Sequence, residues 1–210
     1  MIRNVRDIRA GRRGHMLRWT QPARWTRLVA IAALLPLLNG CAMIGGLSNT
    51  RLASPQSMTV SSPVFGANVR LPSIYTCHGP GLSPPLQWSG ATQPVPKSFA
   101  IVLDDSQAPI TPYVYWVVFD ISPSTVAIGQ NRLPTGAKQA DNSAGKASYD
   151  PPCPRRSSHQ YRFTVYALNA VINLPNGAGL REAWSAIASH VIAAGRLTVH
   201  ACPSATRPCP

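Results

Sequence analysis

The amino-acid sequence predicts a mostly-β domain with a single late helix, and three observations predict it. Three segments carry the two-residue alternation or the β-branched and aromatic richness of strands. Proline occurs 21 times, with many copies between Ser54 and Pro154. That density breaks helices and favours short strands joined by long, stiffened connectors. Only one stretch, Leu180 to about Ala194, holds a helical period.

The strands come first. Ser98 to Asp104 places Phe99, Ile101 and Leu103 on one face. Tyr113 to Asp120 is a continuous β-branched and aromatic run. In Gln160 to Leu168, Tyr161, Phe163, Val165 and Ala167 alternate with Arg162, Thr164 and Tyr166. Shorter strands are expected near Met58 to Val60 and Leu197 to Ala201. In the helix, Leu180, Trp184, Ile187 and Val191 fall on one apolar face, and Gly195 reads as its stop signal. The connector from Ser122 to Arg156 is long enough to be functional. Trp88, Trp116 and Trp184 are expected in the core.

The formal net charge is +13, unevenly placed. Residues 1–40 hold eight arginines and one acid, Asp7, giving +7; twelve basic and six acidic residues give the rest +6. The latter are scattered, without a basic helix or an aromatic-interleaved stripe, which argues against a nucleic-acid partner. Arg18, Arg24 and Arg27 precede the eleven-residue apolar run Leu28 to Leu38, which Pro36 interrupts. The run is too short to cross a ~30 Å hydrocarbon core and has the build of an export signal. Leu38-Asn39-Gly40-Cys41 follows and looks like a bacterial lipobox, making Cys41 the lipidation candidate. Two acyl chains there suffice for stable anchoring. Met16 offers an alternative start. The expected organisation is an export signal over 1–40, a small polar tether over 41–56 and a folded domain over 57–210. The expected location is the extracytoplasmic face of the cell membrane.

Removing Cys41 leaves Cys77, Cys153, Cys202 and Cys209, an even count that points to disulfides in an exported chain. Three pairings are open. Cys77–Cys153 with Cys202–Cys209 is favoured, because the second pair closes a short proline-bounded loop. No G-x-S-x-G elbow, H-E-x-x-H, phosphate-binding glycine loop or dinucleotide fingerprint occurs, so no enzymatic activity and no cofactor are expected. Cys153 and His159 are near enough in sequence for a thiol nucleophile and its base, but a proline-flanked exported cysteine reads better as half of a disulfide. Asp104 and Asp105, adjacent in a strand, point to opposite faces. His78, His159, His190 and His200 lack metal-ligand spacing, so no metal site is expected.

Five segments, in order, carry a family resemblance. Tyr75-Thr76-Cys77-His78-Gly79 leads into Leu82-Ser83-Pro84-Pro85-Leu86-Gln87-Trp88, and Asp104-Asp105-Ser106-Gln107-Ala108-Pro109 comes next. Tyr113 to Val118, Tyr149 to Pro154 and His159 to Leu168 complete the set, with a late helix ending Ser189-His190-Val191-Ile192. Together they resemble the phosphatidylethanolamine-binding protein family in its bacterial, Raf-kinase-inhibitor-like branch. The resemblance implies two antiparallel sheets in Greek-key arrangement and a small anion pocket at one end. It implies a pocket containing Asp105, Tyr115, His159 and Tyr161, with Pro152-Cys153-Pro154 as rim. The implied ligand is a phosphate, a phospholipid headgroup or a carboxylate. The alternative is a protein-interaction module or a protease- or kinase-type inhibitor acting through its loops. Tyr115 stands where the family has a histidine, Ser106 and Gln107 replace a proline and an acid, and Pro151 replaces a glycine.

The chemistry of these four residues stands on its own. An imidazole can donate to an anion through one nitrogen while a partner holds the other. Tyrosines offer hydroxyl donors on rigid rings. A carboxylate beside an anion would repel it, so Asp105 is expected to orient a histidine or to accept from a ligand hydroxyl or amine.

Overall fold

A computed structural model describes residues 55–91, 93–108 and 111–204. The expected export signal, Cys41, all but the last two residues of the expected tether, and Cys209 lie outside the described residues. Among those described, no helix is long and apolar enough to cross a membrane.

Nine strands and one helix follow one another as β1 (Gln56–Ser57), β2 (Thr59–Ser61), β3 (Leu86–Ser89), β4 (Ser98–Asp105), β5 (Tyr113–Ile121), β6 (Ala127–Ile128), β7 (Lys138–Gln139), β8 (His159–Leu168), α1 (Leu180–Ala188) and β9 (Val191–Ala201). A six-stranded sheet has the order β1-β9-β8-β4-β5-β7, and a three-stranded sheet the order β2-β3-β6. All pairings are antiparallel except β1 with β9 at one edge. After the β4–β5 pair the chain makes a long excursion and returns beside β4 as β8. This crossing connection belongs to Greek-key sheets.

Two apolar layers result. The first lies between the sheets, where Val60, Leu86, Trp88 and Ile128 meet Phe99, Ile101, Leu103, Trp116, Phe163 and Val165. The alternation in β8 sends Tyr161, Phe163, Val165 and Ala167 into this layer, each fully buried. The second layer packs α1, through Ala183 and Ile187, on the outer face of the large sheet against Ala100, Val102, Val117 and Phe119.

Three expectations are corrected. The helix ends at Ala188, and Val191 to Ala194 open strand β9. The apolar run Val191-Ile192-Ala193-Ala194 fits either period; pairing with β8 along its whole length decides for the strand. Gly195 is therefore no helix stop. It sits mid-strand against the backbone of Met58, where any Cβ would collide with that residue's carbonyl. Trp184 is not in the core: it is 45% exposed and meets Tyr166 edge-on at 5.7 Å. A smaller difference is that Gln56, the last residue assigned to the tether, already pairs with β9.

Candidate functional site

The site forms where the end of β4, the start of β5 and the start of β8 meet. Asp105 lies opposite Tyr113 on one side and Tyr161 on the other. Residues directly opposite one another in an antiparallel pair share a face, as do residues two apart in one strand. The same face therefore receives Asp105, Tyr161 and His159. Tyr115 joins them through an irregularity. Between Leu103 and Asp104 strand β4 advances one residue while β5 goes from Trp116 to Val114, so Tyr115 is the extra residue of a β-bulge. Bulges re-aim side chains in this way beside functional sites.

The structure brings all four predicted residues together. His159 Nδ1 donates to Asp105 Oδ2 at 2.6 Å. The Tyr115 and Tyr161 rings meet edge-to-face with centroids 5.3 Å apart, and the His159 ring lies 6.5 Å from that of Tyr161. Asp105 is 3% exposed, whereas 28% of the His159 side chain remains open. A buried carboxylate thus fixes Nδ1 as a donor, and the ring's other nitrogen is left for a second partner. The second Asp105 oxygen accepts from the Gln107 backbone N–H at 2.8 Å. Gln107 in turn accepts, through its side-chain oxygen, from the Gln160 N–H at 2.8 Å, tying the β4 end to the β8 start.

Tyr161 is fully buried, and its hydroxyl has no hydrogen-bond partner. Burial, first of all, raises its pKa, with the neighbouring Tyr115 and the charge of Asp105 adding to the shift. The two phenols are thus close enough to influence one another without meeting bonding geometry. Burial also raises the Tyr115 pKa; its approach to the Tyr161 hydroxyl opposes that rise, and the nearby Asp105, Tyr113 and Asp150 add to it. Both groups stay protonated at neutral pH and act as hydrogen-bond donors. A buried hydroxyl without a partner costs about 1–3 kcal/mol.

The 141–154 connector lies beside these residues, bonded to β5 through Asn142 and Asp150. A disulfide joins Cys77 to Cys153, with an S–S distance of 2.06 Å and a closed loop of 76 residues. The favoured first pairing is thus observed, and Cys153 is no free nucleophile. Cys77 N–H donates to the Pro152 carbonyl at 3.2 Å, and Tyr149 Oη donates to the Tyr75 carbonyl at 2.7 Å. Pro151 packs in the space that a side chain on Gly81 would fill, and Gly81 has a φ of +67°. Glycine here permits both the close approach and the left-handed turn.

Two contributors escaped the sequence reading. Asn142, 2% exposed, is a hub: its Oδ1 accepts from the Ala144 and Lys146 N–H groups, while its Nδ2 donates to the carbonyls of Ser148 and Tyr115. It anchors the connector beneath Tyr115. Asp150 accepts from the Tyr113 hydroxyl at 3.2 Å, and its N–H donates to the Tyr115 carbonyl at 3.0 Å. The Asp-Asn-Ser-Ala-Gly-Lys stretch around Asn142 reads as an ordinary turn, so only the tertiary contacts reveal it. Among the described residues, no group of three or more histidine, cysteine or acidic side chains is placed to hold a metal. His78 donates to the Cys202 carbonyl and His190 to Asn169 Oδ1, both at structural positions.

Comparison with known proteins follows this geometry. Residues 61–201 match the family model described as phosphatidylethanolamine-binding protein. The chain belongs to the phosphatidylethanolamine-binding protein family. A UPF0098 protein of Methanothermobacter thermautotrophicus is 37% identical over 145 residues, covering 67% of this chain and 95% of the relative. A Mycobacterium tuberculosis protein that carries the name lipoprotein LppC is 32% identical over 185 residues, covering 79% of this chain and 90% of its own. Among solved structures, Escherichia coli YbcL, described as a member of the mammalian PEBP family, superposes with a TM-score of 0.64. It is 26% identical and covers 69% of this chain and 97% of its own. The PEBP homologue CT736 of Chlamydia trachomatis gives 0.63 at 29% identity, covering 69% and 97%. These PEBP neighbours share the mostly-β fold.

Proposed function

We propose that the protein is an envelope lipoprotein, anchored through Cys41, that binds a small anion at the Asp105–His159 site. The anion is a phosphate, a phospholipid headgroup or a carboxylate. One observation carries the reading: a buried carboxylate holds one histidine nitrogen beside a buried tyrosine hydroxyl that has no partner. In the imidazolium form His159 donates through both nitrogens, to Asp105 and to the anion. Asp105 accepts from the His159 Nδ1 and keeps the ring oriented. Tyr115 and Tyr161 contribute neutral donors, and Tyr115 supplies from the bulge what a second histidine supplies elsewhere in the family. The Cys77–Cys153 disulfide ties down the connector beside these residues. The named relative LppC supports the lipoprotein part of the proposal, as does the lipobox ending at Cys41.

Thermal unfolding in the presence of inorganic phosphate, phosphoethanolamine or acetate tests the binding. A ligand at 100 times its Kd adds about 2.7 kcal/mol of stability. His159→Ala is expected to abolish that gain and, because it strips the buried Asp105 carboxylate of a partner, to lower the stability of the unliganded protein by about 1–3 kcal/mol. A ligand-induced gain that survives in His159→Ala removes His159 from the site. No gain with any of the three anions removes the binding proposal and leaves a protein-interaction role.

A further inference from the structure

Asp104 and Asp105 leave strand β4 in opposite directions, and the face that receives Asp104 carries a second concavity. Helix α1 covers only part of the outer face of the large sheet. Beside it lies an open cleft of about 740 Å³, a size typical of small-ligand sites. Its floor is apolar, made by Val102 and Val117, and one wall is the half-exposed ring of Trp184. Three arginines line it: Arg162 from β8, Arg181 from the first turn of α1 and Arg196 from β9. The sole acid among the described lining residues, Asp104, is engaged by Arg162 through both guanidinium Nε and Nη2. Arg196 bonds the Thr164 hydroxyl at 3.1 Å, and neither it nor Arg181 meets a carboxylate among the described residues. The formal charge of the lining is thus three positive against one negative. At the Tyr166 phenol the charge of Arg196 opposes the rise in pKa that burial causes, while Asp104 adds to that rise and Arg162 works against it. Positive charge therefore converges over an apolar floor.

We propose that this cleft is a second ligand site that takes an amphipathic anion, a short alkyl chain headed by phosphate or carboxylate. The alkyl part lies along Val102, Val117 and the Trp184 ring. The head meets Arg181 and Arg196, whose guanidinium forks suit phosphate and carboxylate oxygens. A cation of the same length finds three arginines and is repelled, and an anion without a chain leaves the floor wet. Nothing in this site is shared with the Asp105–His159 site, so the two proposals stand or fall separately.

Octyl phosphate titrated into the purified protein tests it, with the Trp184 indole N–H resonance, assigned through Trp184→Phe, as the readout. Octyl phosphate and octanoate are expected to move that resonance saturably. Hexyl phosphate, two methylenes shorter, is expected to bind roughly tenfold more weakly. Octyltrimethylammonium and inorganic phosphate at the same concentrations are expected to leave the resonance in place. Arg181→Gln, an exposed change that leaves the fold intact, and Arg196→Gln are each expected to weaken octyl phosphate by about threefold or more. His159→Ala is expected to leave it unchanged. An equal response to the ammonium ligand overturns the proposal, as does an equal response to phosphate alone. So does a response that disappears in His159→Ala but persists in both arginine variants, since it places the ligand in the other site.

Discussion

Replacing Tyr161 with phenylalanine separates what the side chain does for stability from what it does for binding. The ring is fully buried and packs edge-on against Tyr115. Phenylalanine keeps that packing and removes only the hydroxyl, which has no partner. Burial of such a group costs about 1–3 kcal/mol. The variant is therefore expected to be more stable than wild type by about 1 kcal/mol, the low end, because the hydroxyl lies close to Tyr115. In a domain of this size that is a rise in Tm of about 2–4 °C. Anion affinity is expected to move the other way. Loss of one hydrogen bond to a charged ligand costs about 1.5–3 kcal/mol, a tenfold to hundredfold rise in Kd. Urea unfolding with and without phosphoethanolamine reads both quantities from one variant. A less stable Tyr161→Phe protein with unchanged affinity would refute the reasoning, because it would mean the hydroxyl serves the fold.

Further outcomes follow from the same geometry. The Cys77–Cys153 bridge closes a loop of 76 residues, for which chain entropy gives about 4.5 kcal/mol; Cys153→Ser with Cys77→Ser is expected to lower the urea midpoint accordingly, and an unchanged midpoint contradicts the estimate. Burial raises the phenol pKa values of Tyr161 and Tyr149 in the folded state. Their contribution to stability is thus complete below about pH 10, the unfolded value, and is lost as pH rises further, when the unfolded chain releases protons that the folded one keeps. Unfolding midpoints at pH 9 and pH 11 should differ in that direction, less so in Tyr161→Phe; equal midpoints speak against buried phenols. Cys41→Ser is expected to leave the protein soluble after membrane extraction and to remove two acyl chains from its mass, whereas an unchanged mass rules out lipidation at that residue.

Strand patterning was legible wherever a strand buries one face. The β8 alternation names its inward residues directly, because the two-residue period has no competing reading there, while the β5 run shows the strand but not its faces, since Trp116 to Phe119 are buried on both sides. The α1–β9 junction was not legible. Val191 continues the helical period of Leu180, Trp184 and Ile187, and only the register with β8 shows that the chain has already turned into a strand. Gly195 was misread for the same reason, since its neighbour across the interface, Met58, is 137 positions away in the chain.

The four site residues were named through resemblance, and the strand register explains why they meet. Tyr161 and His159 share a face by two-residue spacing, a fact the sequence contains, whereas Asp105 joins them only through the register of β4 with β8. The bulge that adds Tyr115, and the Asn142 hub beneath it, depend on contacts between distant segments. No local pattern announces either. The second cleft was equally hidden: Arg162, Arg181 and Arg196 are scattered singly along the chain and converge only when α1 folds back over the sheet.

A crystal structure of the protein grown with saturating phosphoethanolamine tests the anion site most directly. The phosphate is expected within hydrogen-bond distance of the free ring nitrogen of His159 and of the Tyr115 or Tyr161 hydroxyl, with the Asp105–His159 pair intact. A phosphate seated elsewhere on the molecule, with His159 bare at saturation, would contradict the assignment of this site.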